Sequence, residues 1–375
     1  MAIRSTVDEN LPVIARFEVR RRSYVAPDGT IIRKLPAFAA DTASLIQLYR
    51  AMVLTRAFDL KAVSLQRTGR LGTYAVSLGQ EAVSVGVASA MRQEDVLLPS
   101  YRDNGTLLWR GVKMEEILLY WGGDERGNFS SGPPHDFPFC IPVGSQAPHA
   151  AGVAYAFKFR KEPRVAVCLL GDGATSKGDV YEAMNFAGVH KLPLVFVVNN
   201  NQWAISVPLS AQTVSSSIAV KAVAYGMPGI RVDGNDLLAV IAAQQEAVAR
   251  ARSGGGPTLI ESVTFRMGGH SSSDDPTRYR DAELVKTWEN KDPVTRYGNW
   301  LRGKALLADK DIEQWTAEIT DEISKAITEA EALPPPAIET IFTDVYAEMP
   351  AHLKEQCQHA LATGLGTKFE GAFPL

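Results

Sequence analysis

Two polar clusters, each closing an unbroken apolar run, carry the residue types best suited to chemistry. Val165 to Leu170 leads into Gly171-Asp172-Gly173-Ala174, and Leu194 to Val198 leads into Asn199-Asn200-Asn201. A carboxylate and a carboxamide are hard oxygen donors. They suit Mg²⁺, which keeps part of its octahedral shell for phosphate oxygens and water. The glycines flanking Asp172 let main-chain N–H groups approach an anion, and a helix that follows turns its positive end toward it. Either cluster alone is ordinary, since GDG is common in turns and Asn runs terminate strands. Together they point to a divalent ion holding a diphosphate.

The elements that must position these clusters form one βαβ unit. Neither apolar run alternates, so both read as strands buried on both faces of a parallel sheet. Asp179 to His190 is long enough for the crossover helix, with Ala183, Phe186 and Ala187 on one side. Such a unit sets its polar loops at the carboxyl ends of the strands, where open α/β sheets bind ligands. The expected fold class is therefore α/β, a doubly wound parallel sheet. Its domain is expected over 41–305, with an N-terminal extension at 1–40 and a helical region at 306–375.

Other segments add candidates. Val96-Leu97-Leu98-Pro99 reads as a short strand delivering Ser100-Tyr101-Arg102-Asp103, and a Tyr hydroxyl with an Arg at a strand end can clamp phosphate oxygens. Thr258 to Phe265 reads as a strand delivering Gly268-Gly269-His270-Ser271. His270, with a pKa near neutrality, is the best acid/base candidate in the chain. Glu81, in the first turn of a helix opened by Gly79-Gln80, is better read as a dipole-complementing acid than as a catalyst. That helix is small on one face (Ala82, Val83, Gly86, Val87, Ala90), which allows close backbone approach, so it is expected to be buried, with a subunit contact as one setting.

The remaining pattern is helical or loop. Asp41 caps a helix to about Gln66, and Asp236 caps one to about Arg252. Met114 to Trp121 is helical, and Gly122 to Pro138 is a long loop. Asp311 to Leu333 is a long amphipathic helix with Ile312, Trp315, Ile319, Ile323 and Ile327. In the extension, Pro27-Asp28-Gly29 signals a hairpin between Phe17–Val25 and Thr30–Ile32. The tail from Ile338 holds one or two helices and a Gly-rich end.

Bulk properties exclude several classes. The chain has 375 residues, 46% hydrophobic and 22% charged, ordinary for a soluble enzyme. A net charge of −3 gives no reason to expect nucleic acid or an anionic membrane as partner. Cys140, Cys168 and Cys357 lie far apart, so neither a disulfide framework nor a zinc site is expected. With no apolar run of membrane-spanning length and a polar Met1–Asn10, the expected location is cytoplasmic. The phosphoryl-transfer alternative needs G-x₄-G-K-[ST], which GDGATSKG does not satisfy.

The run GDGATSKGDVYEAMNFAGV followed by VVNNNQWAIS resembles the thiamine diphosphate fingerprint. More widely, from roughly Leu45 to Arg280, the chain resembles the alpha subunit of the decarboxylating component of 2-oxo acid dehydrogenase complexes. It is most similar to the bacterial pyruvate dehydrogenase form, with the branched-chain 2-oxo acid form as the alternative. The resemblance implies thiamine diphosphate and Mg²⁺ as cofactors. It implies Asp172, the Asn201 side chain and the Trp203 main-chain oxygen as metal ligands. Gly173 and Ala174 would contact the diphosphate through main chain, Tyr101 and Arg102 through side chains. Main-chain groups of Ile141 and Val143 would hold the aminopyrimidine. His270 would sit in an active-site loop that folds on cofactor binding, with Ser271 at a position phosphorylated in some eukaryotic relatives. The family's other histidine has no clear counterpart, because the matching segment reads GGDERGN, with His135 the nearest substitute. The implied partners are a beta subunit in an α2β2 heterotetramer, which supplies the carboxylate facing the aminopyrimidine, a lipoyl-bearing acyltransferase and a small 2-oxo acid.

Overall fold

Apolar runs without alternation become central strands here because helices cover both faces of the sheet they build. The computed structural model describes residues 12, 14 and 16–363. The polar start and the Gly-rich end read from the sequence lie outside the described residues. The strands are β1 (Arg21–Arg22), β2 (Val96–Leu98), β3 (Ala166–Gly171), β4 (Leu194–Asn200), a small hairpin of β5 (Trp203–Ala204) and β6 (Val207–Pro208), then β7 (Gly229–Asp233) and β8 (Thr258–Val263). Six of them form one sheet in the order β1-β7-β8-β4-β3-β2. Every neighbouring pair is parallel.

The helices are α1 (Thr42–Arg67), α2 (Glu81–Ser89), α3 (Asn104–Trp109), α4 (Met114–Trp121), α5 (Gln146–Arg160), α6 (Gly178–Val189), the short α7 (Leu209–Gln212), α8 (Leu237–Arg252), α9 (Ala282–Glu289), α10 (Pro293–Gly303), α11 (Asp309–Glu331), the short α12 (Thr340–Thr343) and α13 (Ala351–Thr363). Side chains alternate along β3 between two cores. Val167 and Leu169 pack with Val195, Val197, Val83 and Val240 on the face of α2 and α8. Ala166, Cys168 and Leu170 pack with Phe196, Ala150, Ala154 and Met184 on the face of α5 and α6. Removing one such side chain, as in Phe196→Ala, would cost about 3–5 kcal/mol.

The βαβ unit has the expected form. Gly171 on β3 registers with Asn199 on β4, so the two polar clusters leave the sheet side by side. Asp41 caps α1 by accepting from the Ser44 N–H, and Asp236 caps α8 by accepting from the Ala239 N–H.

One expectation changes and one becomes specific. The extension closes its turn with a single antiparallel bridge, Val25 to Ile31. Its Arg21–Arg22 instead pairs in parallel with β7, because the Tyr24 and Val25 N–H groups donate to the buried Asp236 carboxylate and draw the segment onto the sheet edge. The small face of α2 serves a contact inside the chain. A Cβ on Gly86 would stand 2.9 Å from Val240 Cγ1, so the missing side chains let α8 in. Glu81 is fully buried, paired with Arg56 at 2.5 Å and accepting from the Gly79 N–H.

Candidate active site

Residues from the tips of β2, β3 and β4, from the 140–146 segment and from the 268–274 loop line one cavity of about 200 Å³. Tyr101, Arg102, Val143, Asp172, Gly173, Ala174, Asn201, Trp203 and His270 all belong to its lining. Ile141 does not. The turn closed by Ser145 N–H donating to the Pro142 carbonyl turns its side chain outward, where it is 48% exposed.

Strand alternation sorts the three asparagines. Asn199 and Asn201 face the cavity. Asn200 faces away and donates to Glu261 Oε1 at 2.8 Å, tying β4 to β8. Asn201 donates from Nδ2 to Gln80 Oε1 at 3.1 Å and accepts from the Trp203 N–H at 3.2 Å. Asp172 is buried and accepts at Oδ2 from Gln212 Nε2 at 2.7 Å. Burial pushes its carboxyl up, ahead of Gln212 and the Asp172 and Asn201 N–H groups, which pull it down. Gly173 has no room for a side chain, since a Cβ would stand 2.7 Å from Ala204 Cβ.

The opposite wall has Arg102 in its lining and Arg266 behind His270. Arg102 donates to the main-chain oxygens of Val76 and His270. Arg266, fully buried, donates to the carbonyls of Trp203 and Ile205 and to Tyr279 Oη. His270 Nδ1 stands 3.3 Å from Arg102 Nη2 and 3.4 Å from Arg266 Nη1. Burial first, and then these two guanidiniums, push the imidazole down to about 4. The expected titration near neutrality is thus displaced, and His270 is neutral at physiological pH. Hydrogen bonds shape the loop: Arg280 donates to the Arg266, Met267 and Gly268 carbonyls, and the His270 N–H donates to Asp274.

Sequence reasoning missed several lining or supporting groups. Asp103 is a fully buried carboxyl in the lining, lifted to about 7 by desolvation despite the Ser100 N–H. Gln80, Gln146 and Gln212 are carboxamides far from the motifs they serve, and a lone Gln gives no pattern to read. Arg266 did leave a signal, a charge set between Phe265 and Met267 in a buried strand exit.

Buried polar atoms without protein partners test whether a phosphorylated cofactor and its ion fit. Gln80 Nε2, Gln146 Oε1, Asn199 Oδ1 and Trp203 Nε1 are such atoms, and all four residues line the cavity. Leaving each unmet costs about 1–3 kcal/mol, so a polar ligand is the natural complement. No group of three or more His, Cys, Asp or Glu converges among the described residues. An ion here would therefore rest on Asp172, neutral oxygens and ligand phosphate, as Mg²⁺ does.

Residues 49–339 match the family model described as dehydrogenase E1 component. The chain belongs to the dehydrogenase E1 component family. This E1 chain is 46% identical over 341 residues to the 3-methyl-2-oxobutanoate dehydrogenase subunit alpha of Mycobacterium tuberculosis, covering 88% of this chain and 91% of the relative. It is 44% identical to the pyruvate dehydrogenase E1 component subunit alpha of Acholeplasma laidlawii, covering 84% and 91%. To the same subunit of Bacillus subtilis it is 43% identical, covering 83% and 84%. It is an enzyme chain of the 2-oxo acid dehydrogenase E1 family, and its family is thiamine diphosphate-dependent. No described helix is long and apolar enough to cross a membrane.

Proposed function

We propose that this chain is the alpha subunit of a thiamine diphosphate- and Mg²⁺-dependent 2-oxo acid decarboxylase that passes the acyl group to a lipoyl arm. The observation that carries the reading is the pairing of Asp172 and Asn201 at registered strand tips on one cavity whose buried polar atoms lack protein partners. Bound thiamine diphosphate supplies a nucleophilic thiazolium carbon and an electron sink as CO₂ leaves. The chain's own residues bind and orient. Asp172, the Asn201 side chain and the Trp203 carbonyl would hold the ion. The Gly173 and Ala174 N–H groups would meet diphosphate oxygens, where any side chain on Gly173 would collide with Ala204. Tyr101 and Arg102 would add a phenol and a guanidinium to the same oxygens, and main-chain groups of Ile141 and Val143 would hold the aminopyrimidine. His270, neutral between two arginines, would offer a hydrogen bond rather than a resident proton.

The carboxylates in the lining, Asp103 and Asp172, both belong to the strand-tip end. The carboxylate that faces the aminopyrimidine would come from a beta subunit, in an α2β2 assembly that docks a lipoyl-bearing acyltransferase. Pyruvate is the first substrate reading. The 46% identity to a 3-methyl-2-oxobutanoate dehydrogenase alpha subunit favours that branched acid as the second. Calorimetry of the chain with thiamine diphosphate should show binding only when Mg²⁺ is added. The reconstituted alpha–beta enzyme should then decarboxylate one of the two acids. Equal binding with and without Mg²⁺, or none at all, defeats the reading.

A further inference from the structure

The loop that carries His270 lies on a bed formed by the segment between α1 and α2. The two run antiparallel. The Ser272 N–H donates to the Tyr74 carbonyl at 2.8 Å, and the Tyr74 N–H donates back to Ser272 Oγ at 3.0 Å. At the other end, the Met267 N–H donates to the Leu78 carbonyl at 3.2 Å. Between them, a Cβ on Gly268 would stand 2.6 Å from Val76 Cγ1, so the Val76 side chain packs directly on the Gly268 backbone. Arg102 clips the layers together, donating to Val76 on the bed and to the His270 carbonyl on the loop.

One carboxylate oxygen sets the height of this bed. Asp59, on α1 and fully buried, accepts at Oδ1 from Tyr74 Oη at 3.0 Å, from the Ser77 N–H at 2.8 Å and from Ser77 Oγ at 2.8 Å. Tyr74 Oη in turn accepts from Asn104 Nδ2 at 2.6 Å, and Asn104 follows the cavity residue Asp103. Asp59 Oδ2 has no partner. Neither Asp59 nor Tyr74 belongs to the cavity lining. A buried carboxylate with one unmet oxygen is a costly way to fill a core, because apolar groups of the same shape do so at little or no penalty. What the arrangement provides instead is position: three donors converge on one point and lock the bed in one register.

We propose that Asp59 and Tyr74 are positioning residues that hold the His270 loop and Arg102 against the cofactor cavity. What the loop does there rests on the thiamine diphosphate reading above. Two substitutions separate positioning from mere packing. Tyr74→Phe removes only the hydroxyl and keeps the ring beside Trp121, whose centroid is 5.4 Å away. Asp59→Asn keeps an acceptor at Oδ1, whereas Asp59→Leu keeps burial and loses it.

Hydrogen exchange is measured on the full chain without cofactor, and thiamine diphosphate affinity with Mg²⁺ by calorimetry. Losing one such bond is worth roughly a tenfold change, so exchange of the 268–272 amides should quicken about tenfold in Tyr74→Phe and in Asp59→Leu. Affinity should fall by a similar factor, while Asp59→Asn stays within about threefold of the unmodified chain. Unchanged exchange at 268–272 in Tyr74→Phe overturns the proposal, even if its melting temperature falls. Should Asp59→Leu fail to fold, Tyr74→Phe and Ser272→Ala decide by the same measure. If the unmodified chain binds no thiamine diphosphate, the functional reading fails and the exchange result alone judges this one.

Discussion

The two walls of the cavity are built on opposite principles. The strand-tip wall is rigid and sparingly charged: two carboxyl groups, Asp172 and Asp103, among amides and small residues, the first placed by the β3–β4 register. The loop wall is backed by cations: Arg102 lines the cavity, and Arg266 and Arg280 behind the lining also spend N–H groups on main-chain carbonyls. A wall placed by a sheet holds an ion at fixed geometry. A wall of guanidiniums tied to carbonyls keeps its charge uncancelled, and so attracts anions. In the proposed reading the ion rests on the strand-tip wall alone while the loop wall adds cationic contacts to the diphosphate, so each wall can be damaged alone.

The largest expected effect is on the strand-tip wall. Asp172→Asn should lower Mg²⁺-dependent thiamine diphosphate affinity at least about a hundredfold, roughly 2.8 kcal/mol, with little change in the melting temperature. Retained affinity in calorimetry would place the ion elsewhere.

Next comes the loop wall. Arg102→Leu should weaken diphosphate binding about tenfold to a hundredfold without altering the Mg²⁺ requirement. It should also raise the His270 pKa from about 4 toward 6.5, read from the imidazole resonances by NMR. The sign for stability follows from linkage. The unfolded imidazole takes up its proton near the ordinary value and the folded one only near 4, so this group's contribution is present above the ordinary value. It is lost as pH falls through that window, and Arg102→Leu narrows the window from below.

A smaller effect should follow Gln212→Ala. This residue holds Asp172 Oδ2 at 2.7 Å without lining the cavity. Groups that orient a metal ligand are typically worth about ten- to a hundredfold in metal affinity, and the lower figure is expected for one neutral donor. The smallest is Asp41→Ala at the start of α1, a capping loss of about 1 kcal/mol in chemical denaturation that should leave cofactor affinity untouched.

How much of this was legible in the sequence follows the same division. The βαβ unit, the strands β2, β3, β4 and β8 and the helices α1, α2, α4, α6, α8 and α11 were readable because burial on two faces leaves unbroken apolar runs and capping residues mark helix starts. The strand-tip wall was readable because its residues sit at the ends of those runs. The loop wall was legible only in part, Arg102 and His270 from their strand ends but not the Arg266 and Arg280 behind them. Gln212 reaches Asp172 through the short α7, which no periodicity announces. The depressed His270 pKa depends on two guanidiniums, one of them from a distant strand end. The arm at Arg21–Arg22 joined the sheet edge because of Asp236, a residue whose capping role was visible but whose second duty was not.

Arg266 has a consequence that reaches beyond turnover. It is fully buried, with its Nε unmet, and burial followed by the neighbouring Arg102 lowers its pKa to about 10. If the chain binds thiamine diphosphate as proposed, saturation at a hundred times Kd would stabilise it by about 2.7 kcal/mol. Survival against cellular proteases would then track the supply of the coenzyme, so that vitamin scarcity thins the pool of the protein as well as idling it.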